Sequence, residues 1–169
     1  MKTRTLTVCA ILAALSVGLS VLENLLPITA FIPIPGLKLG FANIAIMAAF
    51  FIVGKKTALF VGLLKVFVIF LTFGNISSFF ISLTGTIFAY ISLLLTCRIY
   101  NKYLSFIGIS AFSAFFHAAG QVIASCVLTM STAAFAILPP LLFFSCITGA
   151  ITGFIMNKTG PALRRLCKK

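Results

Sequence analysis

Apolar stretches of about 15 to 25 residues, separated by short polar or proline- and glycine-bearing breaks, set the pattern of this chain. They do not alternate over ~10-residue segments as the strands of a membrane barrel do. Helices are then the way for the backbone to satisfy its own hydrogen bonds inside lipid. The pattern predicts an all-α membrane protein, a six-transmembrane-helix bundle with helices near 6–26, 40–54, 56–73, 78–97, 104–128 and 136–156, forming one domain over residues 1–169.

The break between the first two runs differs from the others. In PITAFIPIPGLKLGFAN, residues 27–43, Pro27, Pro33 and Pro35 remove backbone donors and bias their predecessors to extended conformations, while Gly36 permits a turn, so no helix runs through. The stretch is nonetheless rich in Ile, Leu and Phe, unlike a solvent loop. The outer loop 27–39 is therefore expected to fold back onto the bundle and gate a site beneath it.

Composition agrees with the pattern. Hydrophobic residues make up 62% of the chain and charged residues 8%, against roughly 45–50% apolar content in soluble domains. A net charge of +12 would suit nucleic acid, but its distribution argues otherwise. Six spans put both termini on one side. If that side is cytoplasmic it receives Lys2, Arg4, Lys55, Lys56, Arg98, Lys102, Lys158, Arg164, Arg165, Lys168 and Lys169, eleven of the 13 basic residues, as the positive-inside rule asks. The surplus charge reads as topology in the cytoplasmic membrane, with the lipid bilayer as partner and no nucleic acid. The basic N-terminus leads into an apolar run that continues to Leu26 without a small-x-small cleavage site, so it reads as the first membrane helix and not as a removed leader. Cys9, Cys97, Cys126, Cys146 and Cys167 lack metal-like spacing and read as small packing residues.

Polar residues inside the spans carry the candidate chemistry. Glu23 is the sole acidic residue; in the outer part of a span it needs pairing, protonation or water, and Lys38 and Lys65 are its natural partners. On the same helix Ala10, Ala14 and Gly18 recur every four residues, a surface for close approach either by a partner helix or within the bundle. Glu23 lies about nine positions from Ala14, hence on the opposite face at about 100° per residue. Lys38 and Asn43 flank the start of the second helix, an anion-friendly corner or a cap and anchor. Lys65 lies about ten residues from the inner end of its span, roughly 15 Å deep and beyond comfortable snorkelling.

Asn75 precedes a stripe of Ser78, Ser82, Gly85, Ala89, Ser92 and Thr96 that reads first as packing. His117 and Gln121, one turn apart, share a face with Ser110, Ser113 and Ala124 and suggest a polar cavity. Ser145, Gly149, Gly153 and Asn157 form a packing face on the last helix, which Pro139 and Pro140 are expected to kink. By depth, Glu23, Asn43, Lys65, His117 and Gln121 converge beneath residues 27–43. The expected ligand is small, partly apolar and bears an anionic or carbonyl group.

Residues 33–44, PIPGLKLGFANI, following a first helix with Glu23 and Asn24, resemble the family described either as Gx transporters or as heptaprenyl diphosphate synthase component I, over nearly the whole chain. That family is similar to the substrate-binding S components of energy-coupling factor (ECF) transporters. The resemblance implies six helices, both termini inside, a gating loop after the first helix, and an Ala-x-x-x-Ala contact with a membrane coupling (T) subunit, matched here by Ala10 and Ala14. The ligand-binding candidates are then Glu23, Asn24, Lys38, Asn43, Lys65, Asn75, His117 and Gln121, with Ala10, Ala14 and Gly18 as the partner face.

Prenyl diphosphate synthesis needs Mg²⁺ held by clustered carboxylates. A chain with one glutamate and no aspartate is not expected to catalyse it, nor to hold a metal or cofactor. No Walker sequence is present, so ATP would be used by two partner ATPase subunits. The leading expectation is the substrate-capture subunit of an ECF-type importer. The alternatives are a non-catalytic membrane accessory subunit of heptaprenyl diphosphate or isoprenoid-quinone synthesis, and a solitary proton-coupled transporter relaying through His117, Glu23 and Lys65.

Overall fold

The computed structural model describes residues 3–25, 40–98 and 105–168, with side chains described for 6–25, 40–98 and 105–160. The loop 27–39 with Lys38, together with Lys2, Lys102 and Lys169, lies outside the described residues. Within them the chain is helical: α1 (Thr3–Leu25), α2 (Asn43–Ala48) running into a π-helical segment (Ala49–Val53), α3 (Lys55–Phe73), α4 (Ile76–Thr96), α5 (Phe106–Thr129), a 3₁₀ segment (Thr132–Ile137) and α6 (Leu138–Lys168).

The polarity of this bundle is reversed relative to a soluble one. On α3, Phe60, Leu63, Phe67 and Leu71 are exposed, while Lys65 is buried; on α6, Phe143, Phe144 and Phe154 face out and Ser145 and Thr152 face in. Five helices, Leu6–Leu25, Lys55–Phe73, Ile76–Thr96, Phe106–Thr129 and Thr132–Gly160, are long and apolar enough to cross a membrane, consistent with a multi-pass membrane protein.

Local chemistry sets the turns. Gly74 takes the left-handed conformation at φ 65° and donates its N–H to Phe70 O, closing α3. Asn75 follows at once, and its side chain accepts the Ser78 N–H to open α4, so α3 and α4 lie antiparallel. Ser105 caps α5 in the same way through Gly108 N–H. Pro139 and Pro140 sit in the first turn of α6, where the missing N–H groups are not needed. The expected kink is instead a change from 3₁₀ to α geometry at Leu138. α6 then passes Gly160 and Pro161 and ends at Lys168, well beyond the predicted 156.

The expected second span is the main departure. Residues 40–54 contain six residues of α-helix and five of π-helix, a rise of about 16 Å against a hydrocarbon core of about 30 Å. Gly40 at φ 93° precedes the segment and Gly54 at φ 145° ends it; Gly54 N–H bonds to Ala49 O across the wide turn. The predicted six-span count is thus not reproduced among the described residues.

Close packing on the α5 side depends on missing side chains. A Cβ on Gly149 would lie 2.7 Å from Ala111 Cα, and one on Gly153 would lie 2.5 Å from Ile107 Cα. The small-residue face of α6 therefore lets two backbones touch, and a bond of 2.5 Å between Ser110 Oγ and Thr152 Oγ1 joins them. One apolar cluster around Ile46, Phe50, Val61, Leu93 and Ile109 fills the end nearer Gly54, and a second around Ile81, Val122 and Leu141 fills the other. A polar layer lies between them.

Candidate functional site

His117 is the hub of that polar layer. A Cβ on Gly40 would lie 3.0 Å from Asn43 Nδ2 and 3.4 Å from His117 Cδ2, and one on Gly85 would lie 2.8 Å from Gln121 Cγ and 3.0 Å from His117 Cε1. The imidazole thus fits between the turn that starts α2 and the face of α4 because both positions lack a side chain. Gln121 Nε2 and His117 Nε2 are 3.1 Å apart, one turn along α5. With the amide donating, this imidazole nitrogen accepts.

Glu23 reaches the same place from α1. Its Oε1 accepts the Phe41 N–H, and two turns earlier Ser16 Oγ donates to Ala42 O at 3.4 Å. The sole carboxylate therefore ties the start of α2 to α1, satisfying a backbone donor at a helix entry with a charge-assisted bond. Lys65 is buried on α3 one turn from Gly62. A Cβ on Gly62 would lie 2.9 Å from Thr86 Cγ2 and 3.4 Å from Ile46 Cδ1, so this face of α3 meets α4 and α2 together.

Glu23, Asn43, Lys65, His117 and Gln121, singled out in the sequence, are thus all buried, and they come from four helices. Glu23, Asn43, His117 and Gln121 are linked through Gly40, Phe41 and Gly85. Asn43 is the least settled of them. Among the described residues neither of its amide atoms has a hydrogen-bond partner, and the same holds for the hydroxyls of Ser20 and Thr86. Buried polar groups are ordinarily paired, so these three are candidates for contact with a bound molecule. Sequence reasoning missed Ser20 and Thr86, because a single hydroxyl in an apolar span gives no signal of its own.

Other candidates lie elsewhere. Asn75 is exposed, caps α4 and lines the groove between α3 and α4. Asn75→Ala is expected to cost about 1 kcal/mol of stability, read by thermal unfolding in detergent, without changing the buried centre. Asn24 is half-buried near the end of α1. Ala10, Ala14 and Gly18 are exposed, and a Cβ on Gly18 would meet nothing within 4 Å. The stripe therefore does not pack within the described bundle and faces away from Glu23, as the helical spacing predicts.

A shallow groove between α3 and α4, with enclosed room of only about 10 Å³, is lined by Val66, Ile69, Phe70, Phe73, Asn75, Ser78, Phe79 and Ser82. The Phe70 and Phe79 rings lie 5.0 Å apart along it. Among the described residues no group of three or more His, Cys, Asp or Glu could hold a metal ion.

The family described as heptaprenyl diphosphate synthase component I matches residues 12–159. The chain belongs to that family. Component I is the non-catalytic subunit of its synthase, in keeping with a chain that has one carboxylate. As a component, a member of this family works with other subunits. The description agrees with the synthase-associated alternative rather than with the importer expectation. No curated protein and no solved structure matches this component I chain.

Proposed function

We propose that this component I protein is a ligand-holding, non-catalytic subunit of the cytoplasmic membrane, acting on heptaprenyl diphosphate synthesis through partner subunits. Glu23, Asn43, Lys65, His117 and Gln121 form its site, and the ligand is small and partly apolar. The observation that carries this reading is the Asn43 carboxamide, buried beside His117 with donor and acceptor both unmatched among the described residues. An intramembrane polar group of this kind is costly unless it serves a bound partner. Exposed Lys55, Lys56, Arg98 and Lys158 support a cytoplasmic end for the bundle. α2 starts beside Ser16 and Glu23 and leads to Lys55, which supports both termini lying at that end.

A second reading is favoured by the face of α1 opposite Glu23. Exposed Ala10, Ala14 and Gly18 offer a helix-docking stripe, which suits the capture subunit of an importer that docks on a membrane coupling subunit served by two ATPases. Purification of the tagged chain from native membranes separates the two. A prenyl-transferring subunit in the eluate supports the first reading, and two ATPases with a large membrane protein support the second. Proton-coupled flux by the purified chain alone in liposomes would overturn both in favour of a solitary transporter. Native mass spectrometry of the same eluate should show a retained small molecule, and its absence under gentle extraction would sink the ligand-holding reading. Ala14→Leu is expected to lower partner recovery at least severalfold while leaving folding and the retained molecule unchanged, since position 14 is exposed.

A further inference from the structure

One end of the bundle is ringed with cations that no acidic side chain of the protein can neutralise. Tyr90 Oη donates to Lys55 O at 3.2 Å, the Phe50 and Tyr90 rings lie 6.1 Å apart, and the Phe51 and Phe106 rings 5.1 Å apart. Cys97 and Met156 belong to the same apolar cluster. The start of α3, the end of α4, the start of α5 and the part of α6 around Met156 therefore meet at one level, with Lys55, Lys56, Arg98 and Lys158 exposed around it. Glu23 is the sole acidic residue of the whole chain, and it is buried at the far end of residues 41–53, on the Phe41 N–H. No residue outside the described ones can bring an acidic side chain to this end.

Three of these cations stand one turn outside a large apolar side chain that faces outward. Lys56 precedes Phe60 by four residues on α3, Arg98 follows Leu95 by three, and Lys158 follows Phe154 by four; the three apolar side chains are 63%, 59% and 54% exposed. Lys158 Nζ lies 6.0 Å from the centre of the Phe154 ring, leaning toward the helix N-terminus and so keeping its charge against the apolar band. Helix electrostatics do not account for the set. Cations suit the C-terminal ends of α4 and α6, but Lys55 and Lys56 open α3, where the macrodipole opposes them. α6 also continues about 12 Å past Gly160, where its apolar stretch ends, so Arg164 and Arg165 occupy helix positions at head-group depth. A base at the edge of the apolar band with a hydrocarbon surface beneath it complements a lipid that has a phosphate head over acyl chains. We propose that this end of the bundle binds anionic phospholipids, with phosphates at Lys56, Arg98 and Lys158 and acyl chains along Phe60, Leu95 and Phe154. The surface is separate from the polar centre and does not rest on the ligand-holding reading.

The test uses the full chain in nanodiscs of equal parts dioleoyl phosphatidylglycerol and dioleoyl phosphatidylcholine, which share acyl chains and differ in head-group charge. Native mass spectrometry of the released protein should show phosphatidylglycerol adducts in about fivefold excess or more, the worth of one base beside an anionic surface. The excess should fall severalfold when ammonium acetate is raised tenfold, as screening requires. Combining Lys56→Gln, Arg98→Gln and Lys158→Gln should reduce it to about twofold or less without moving the thermal midpoint, since all three positions are exposed. Reconstituting purified protein keeps any effect of these charges on the direction of membrane insertion out of the comparison.

Equal adducts of the two lipids on the parent chain would overturn the proposal, as would an undiminished excess in the triple variant. Should that variant fail to fold, the salt dependence of the parent decides alone, and an excess that ignores salt would overturn the charge contact. Displacement of phosphatidylglycerol by an equimolar amount of geranylgeranyl diphosphate would overturn the phospholipid in favour of a prenyl diphosphate. An acidic partner subunit recovered with the parent and lost with the triple variant, the lipid excess persisting, would overturn it in favour of a protein contact.

Discussion

Gly153→Val should lower the midpoint of thermal unfolding in detergent by about 10 °C, whereas Gly18→Val should leave it within a degree or two of the parent. The chemical change is the same on two membrane helices, and only the neighbours differ. At Gly153 the first added carbon would lie 2.5 Å from Ile107 Cα and 2.8 Å from Phe106 O, both backbone atoms that cannot rotate away. α5 and α6 would have to separate, breaking the Ser110–Thr152 contact one turn along. Overpacking of this kind costs about 3 kcal/mol, which for a chain of this size corresponds to roughly 10 °C. At Gly18 nothing lies within 4 Å, and removing a helix-interior glycine is neutral or mildly favourable. Equal midpoints for the two variants would show that α5 and α6 do not pack through this face.

That contrast also shows what a four-residue stripe of small residues reveals by itself. Ala10, Ala14 and Gly18 on α1 and Ser145, Gly149 and Gly153 on α6 have the same spacing, yet one stripe faces outward and the other lies against a backbone. Spacing identifies a face for close approach; what approaches it depends on the bundle. Glu23, Lys65 and His117 were easier to recognise, since a charged or titratable side chain among apolar neighbours must be turned inward. Helix rise alone placed Glu23 in the outer half of its span and Lys65 and His117 around the middle of theirs.

The π-helical half of the second helix was not legible. FANIAIMAAFFIV reads as continuous apolar sequence, and the widening at Ala49–Val53 arises from packing, with no marker residue. At Asn75 the sequence alone does not separate a cap from a ligand contact, since both call for the same residue type at a helix end. Ser20 and Thr86 could not be found at all, since an intramembrane hydroxyl commonly bonds its own helix, as Thr84 does to Phe80 O.

Glu23→Ala should speed hydrogen exchange at the Phe41 amide by about ten- to a hundredfold, the loss of a charge-assisted bond worth roughly 1.5–3 kcal/mol. The carboxylate accepts that N–H at the point where the chain enters α2, and Asn43 follows two residues later. Loosening the entry therefore displaces the amide that faces the ligand, and Glu23→Ala should lose the retained molecule whether or not Glu23 touches it. Glu23→Gln distinguishes these roles. It keeps an acceptor oxygen of nearly the same reach and removes only the charge, so exchange at Phe41 should rise by less than about tenfold. If Glu23 acts by holding α2 in place, Glu23→Gln retains the ligand and Glu23→Ala does not. If its charge meets the ligand or balances Lys65, both variants lose it, even with Phe41 still protected in Glu23→Gln. Unchanged exchange at Phe41 in Glu23→Ala would remove the tie between α1 and α2, and the sole acidic side chain of the protein would then need a different role.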